Sequence, residues 1–306
     1  MRLFDLHSDT LYAILNSGGD ILQNNGSIDL MRGLCFSPWY QCFAAWVRDG
    51  ESAQEAMVKI RRMFRLAHEF ENRYPQFFHI LRNGRELFAS PQTPLTAILT
   101  VENGGVAAGG TVLPDEWVTA GVKMVSLTWN GSNGWGEGCE GDARLGLTPI
   151  GKATIRKMEK HGILVDAAHL NRRSFWDLCR VATRPFVVSH TASAAVCRSK
   201  RGLNDTQFMQ VRERGGIVGI DMCTAHLGGH PPDAVIPHIE HFLTLGGKQT
   251  VALGCDLDGI DLPSSQNGIR VVANLYERLL QRNYAESLID DLFYANAYRF
   301  FKRYIR

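Results

Sequence analysis

The stretch Leu3-Phe4-Asp5-Leu6-His7-Ser8-Asp9 runs from apolar residues straight into a histidine and an aspartate two positions apart. In an extended strand, residues i and i+2 point to the same side, so an imidazole and a carboxylate would share one strand end. Working outward, the pattern recurs. Apolar runs at 96–101, 163–168, 186–189 and 251–255 lead into Glu102, His169, His190 and the pair Asp256 and Asp258. With 3–6, 40–47, 124–128 and 216–221 they make eight candidate strands, mostly separated by helical patterns. Eight such runs predict an α/β chain, a single (β/α)8 TIM barrel over residues 1–306, rather than an open sheet. In that fold the chemistry gathers where the strands end.

The helical segments have local causes. Met57, Ile60, Phe64 and Ala67 recur at helical spacing over 52–72, with Pro75 just beyond. Thr148 and Pro149 form an N-cap and first-turn proline for a helix through 160, stopped by His161-Gly162. Asn171 is placed to cap a helix through 181, and Asp205 one through 214. A C-terminal helix over 284–304 is expected to close the barrel wall. Residues 20–40 and 131–146, rich in Gly, Asn and Ser, lack periodicity and follow strand ends, where loops cover a barrel's mouth.

The 306 residues are 45% hydrophobic and 21% charged with net charge +2, as in an ordinary globular protein. No block of Lys or Arg supports nucleic-acid binding, and no run of eighteen apolar residues supports a membrane span. The basic run at 198–201 reads as a solvated loop, Arg201 excepted. Seven cysteines without a CxxC pair suit a reduced compartment. With a ligand-type residue as early as position 7 and no apolar leader, a cytoplasmic protein is expected.

The strand-end groups have a joint chemistry. Two imidazoles plus a bridging carboxylate bind one zinc, and a His–Asp pair sharing that carboxylate binds a second. Ions about 3.5–4 Å apart can hold a hydroxide between them and polarise a carbonyl. Singly, each residue has a plainer reading: His169 or His190 alone could be a satisfied core histidine. Glu102 is more telling, because a carboxylate at a buried strand end must be paired or ligated.

Together, Asp5-Leu-His7-Ser-Asp9, Val101-Glu102, Leu127-Thr128, Gly146-Leu-Thr-Pro-Ile-Gly151, Leu164-Val-Asp-Ala-Ala-His169, Ser189-His190, Arg201 and Asp256-Leu-Asp258-Gly259 resemble the membrane (renal) dipeptidase family. The resemblance runs from residue 3 to about residue 300. It implies an amidohydrolase-like barrel holding two Zn2+ ions, which cleaves dipeptides, including those with a C-terminal D-residue, through a metal-bridging hydroxide. It also implies a homodimer. Position by position, His7 and Asp9 match the ligands of one zinc, Glu102 the bridging carboxylate, and His169 and His190 the ligands of the other. Asp258 matches the acid/base, with Asp256 placed second, and Arg201 matches the binder of the substrate's terminal carboxylate.

One position departs from the family. A histidine thought to assist the oxyanion is replaced by Trp129, which offers one N–H donor and no proton relay. Asn130 or Asn133 could compensate, and His226 and His230 could reach the substrate side. Two other readings stay open: a metal-dependent barrel hydrolase for another amide, lactam, ester or phosphoester, and a non-catalytic binding protein that keeps the fold. Asp9 argues against the HxH deoxyribonucleases, and Glu102 takes the place of a carbamoylated lysine bridge.

Overall fold

A computed structural model describes residues 1–91 and 93–305. Its strands are β1 (Leu3–Asp5), β2 (Trp39–Trp46), β3 (Phe78–Ile80), β4 (Leu95–Glu102), β5 (Met124–Ser126), β6 (Leu164–Asp166), β7 (Val187–Thr191), β8 (Ile217–Ile220) and β9 (Val251–Leu253). All neighbouring pairs are parallel. β1, β2 and β4 through β9 close on themselves, β9 returning to β1 through Asp5 and Leu253. This is the expected eight-stranded (β/α)8 barrel. β3 is an addition that the sequence did not announce. It pairs with β4 at Leu95–Ala97, whereas β5 takes over at Thr100 and Val101, so β3 fills the edge that short β5 leaves open.

The helices begin and end largely where capping chemistry puts them. Ser52 and Glu55 form a reciprocal capping box ahead of Ala53–Arg73. Thr148 Oγ1 accepts from the Gly151 amide to start Pro149–His161, and Gly162 ends it with φ 71°. Asn171 caps Arg172–Val181. The cap of the next helix is Asn204, not Asp205, which is its first residue. Helices Thr10–Ser17, Ile236–Thr244 and Arg270–Gln281 complete the outer layer.

The C-terminal segment is helical from Glu286 to Tyr304, with one wide turn at Asp291–Ala295. It closes the barrel's floor more than its wall. Phe300, Phe301 and Tyr294 join Phe4, Tyr40, Ile98, Met124, Leu164 and Val187 in one buried cluster. Polar chemistry is thereby confined to the other end of the barrel. There Asn103 ties three loops together. Its Nδ2 donates to Val47 O and Asp49 Oδ1, and its Oδ1 accepts from the Trp129 amide and Asn133 Nδ2. Near the opposite seam, a side chain at Gly254 would stand 1.7 Å from Ser189 O, so only glycine lets these strands approach.

Candidate metal centre

The ligand-type residues converge at the C-terminal strand ends. Glu102 closes β4, His190 lies within β7, and His7, His169 and Asp256 follow β1, β6 and β9. All five are at most 8% exposed. Asn103, His169, Asp256 and Asp258 have φ values of 64°, 66°, 58° and 68°, left-handed backbone that non-glycine residues seldom adopt. Such strain persists where surrounding structure enforces it, and functional sites are where it gathers.

The hydrogen bonds behind the histidines fix which ring nitrogen faces inward. His169 Nδ1–H donates to Asn130 Oδ1 at 2.8 Å. Ser189 Oγ–H donates to Asp166 Oδ2, so Ser189 Oγ in turn accepts from His190 Nδ1–H at 2.8 Å. Both Nε2 atoms therefore present lone pairs. They stand 2.8 Å apart, and Glu102 Oε1 lies 2.8 Å from one and 3.8 Å from the other. Three electron-pair donors pointed at one another repel unless a cation sits among them.

The other oxygen of Glu102 faces a second group. Oε2 lies 3.2 Å from His7 Nε2, which is 3.9 Å from Asp9 Oδ1 and 3.7 Å from Asp256 Oδ1. His7 Nε2 and Asp9 Oδ1 are buried without a hydrogen-bond partner among the described residues. Orphaned buried polar atoms are costly, and these two face each other across a gap that a cation would fill. One carboxylate thus turns an oxygen toward each of two ligand-type groups. His7, Glu102 and His190, and likewise His7, Asp9 and Asp256, offer ligand atoms within 4.8 Å of one another.

The electrostatics agree. Burial alone would push His7 down, but Glu102, Asp9 and Asp256 lift it to about 10. Burial, followed by the charge of Glu102, drives Asp9 well above the usual carboxylate range. Burial also raises Asp256 to about 7, against the pull of His7. Burial and then Arg201 lower His169 to about 3, and burial and then His7 hold His190 well below its ordinary value. The site thus joins carboxyls that burial and mutual repulsion make costly to ionise to two imidazoles held neutral, and a cation among them would relieve the first and suit the second.

Three sequence expectations need correction. Asp258 does not face the centre. Its carboxylate accepts from Thr10 Oγ1 at 2.7 Å, from Ile28 N at 3.3 Å and from Ser27 N, so it pins the 26–28 loop to the last strand end. Asp256, placed second from sequence, is the aspartate beside His7. Asn130, expected on the substrate side, has its Oδ1 engaged in orienting His169 and also accepts there from Cys139 Sγ–H. Ser189 and Asp166 were not singled out at all, although they orient His190.

The remaining residues are close to the centre. Trp129 is half-buried, edge-on to Trp46, with its ring 6.2 Å from that of His169. Arg201 donates one bond to His190 O at 3.1 Å and has no other partner among the described residues, at the border of a cavity of about 1270 Å³ that His169 also lines. His226 Nδ1 bonds Asp221 Oδ2 at 2.7 Å. Burial works against its protonation, but Asp221 outweighs that and raises it to about 10.

The model of the membrane dipeptidase family (peptidase family M19) matches residues 1–304. The chain belongs to this family. Membership makes it a peptide-bond hydrolase of a metallopeptidase family. An uncharacterized protein in the pqqA 5′ region of Klebsiella pneumoniae is 29% identical over 68% of this chain and 82% of its own length. An uncharacterized dipeptidase of Schizosaccharomyces pombe is 24% identical over 84% of this chain, which spans 65% of that relative. A metallopeptidase from Rhodobacter sphaeroides, solved with a phosphinate mimic of the dipeptide L-Ala-D-Ala, superposes with a TM-score of 0.88. At 22% identity, with 99% of each chain covered, it shows the shared barrel. Despite the family's name, no helix among the described residues is long and apolar enough to cross a membrane.

Proposed function

We propose that this M19 chain is a dipeptidase that works with two zinc ions and accepts dipeptides ending in either an L- or a D-residue. The observation that carries this is Glu102, whose two oxygens face two separate ligand groups. His7, Asp9 and Glu102 would hold one ion, and Glu102, His169 and His190 the other. When bound, such a pair polarises the scissile carbonyl and raises the acidity of water.

The protein's own groups supply the rest. Asp256 sits where it can take a proton from the attacking water and return it to the amine nitrogen as the C–N bond breaks. Arg201 has guanidinium donors to spare for the substrate's terminal carboxylate, which a planar fork can hold by two bonds. Trp129 walls the site beside His169 and offers an indole N–H in place of the family's histidine. Asp166–Ser189 and Asn130 keep the two histidines turned inward, as the outer partners of ligating imidazoles do.

The test combines metal analysis of the purified protein with a panel of L,L- and L,D-dipeptides, before and after chelation. Two ions per chain and metal-dependent cleavage are expected. Cleavage of lactams or esters but of no dipeptide would shift the reading to another amide or ester substrate.

A further inference from the structure

The cavity beside His169 carries more positive charge than a dipeptide's backbone needs. Arg172, Arg198, Lys200 and Arg201 all line it, and none of the four forms an ion pair among the described residues. Among the described residues one carboxylate lines the cavity, Asp205, and it is held by His241 at 2.8 Å. Helices Arg172–Val181 and Asp205–Glu213 both begin on the cavity, adding the partial positive charge of their N-termini.

Under the reading above, Arg201 is taken by the terminal carboxylate, which leaves three exposed cations without a carboxylate partner among the described residues. A neutral side chain would leave them to solvent. An acidic side chain places a second carboxylate a few bonds from the first, on the cavity side of Arg201. We propose that the preferred substrates are dipeptides whose C-terminal residue is aspartate or glutamate, with Arg198, Lys200 and Arg172 receiving the side-chain carboxylate. This inference rests on the dipeptidase reading and narrows it to a substrate class.

The test measures kcat/KM of the metal-loaded enzyme on matched pairs differing only in charge, Ala–Asp against Ala–Asn and Ala–Glu against Ala–Gln, in both C-terminal configurations. The acid should be favoured at least about tenfold, and raising ionic strength should shrink the ratio. In the double variant Arg198→Glu/Lys200→Glu the ratio should fall below one, and dipeptides ending in lysine should gain. These are loop side chains, and unchanged circular dichroism with two bound ions would show the barrel intact. A wild-type ratio near one, with dipeptides cleaved, overturns this inference alone. A ratio that survives the charge reversal does so too. Cleavage of no dipeptide at all removes the dipeptidase reading and this inference with it.

Discussion

Asp256 Oδ1 stands 3.7 Å from His7 Nε2, across the seam where β9 returns to β1. The backbone enforces the approach: the Asp256 amide donates to His7 O at 3.1 Å. A carboxylate fixed beside His7, with no side-chain hydrogen bond among the described residues, suits the proton-carrying role proposed for it. Asp256→Asn should therefore lower kcat by at least about 10³-fold while both ions stay bound. Metal content measured beside turnover separates a lost proton carrier from a lost ligand.

Asp258→Asn should behave differently. An amide offers one acceptor oxygen to donors that now share two, from Thr10, Ser27 and Ile28. A loss of about 1–3 kcal/mol in unfolding free energy is expected, with kcat reduced far less than in Asp256→Asn. Denaturant unfolding and steady-state kinetics on the same preparation check both.

Removing the outer partner of a ligand should weaken one ion and spare the other. Asn130→Ala leaves His169 Nδ1–H without its acceptor and the ring free to turn. Affinity at the His169–His190 side should drop about 10–100-fold. Calorimetric zinc titration should then resolve one weakened step and one unchanged.

The pH dependence of stability is clearest away from the centre, at Glu71. Burial opposes its ionisation, but Arg82 and the Ile80 amide overcome this and hold Glu71 below its ordinary value of 4.5. A depressed carboxylate contributes stability that is complete above about pH 4.5 and is lost as the pH falls through its lower folded value. The melting-temperature gap between wild type and Glu71→Gln should be widest at neutral pH and close on acidification. A gap that widened in acid would reverse the sign of this argument.

The barrel was legible because its strands are apolar runs bounded by helical patterns, and all eight appear where the sequence put them. β3 was not, since Phe78-His79-Ile80 is too short to show a period and exists only because β4 outruns β5. The residues proposed as metal ligands were legible as strand-end residues, and the fold gathers them at one end of the barrel. The two aspartates were misordered for a definite reason: alternation assumes an extended strand, but β9 ends at Leu253 and both Asp256 and Asp258 are left-handed. Asn130 acts on a histidine 39 positions away, and Arg198 and Lys200 gain meaning only beside Arg172, so neither relationship exists along the chain.

The most direct test of the central claim is anomalous diffraction from crystals of the zinc-loaded protein. Two zinc peaks should lie about 3.5–4 Å apart on either side of Glu102, one against His7 and Asp9 and the other against His169 and His190. A single peak, or two that do not share Glu102, would contradict it.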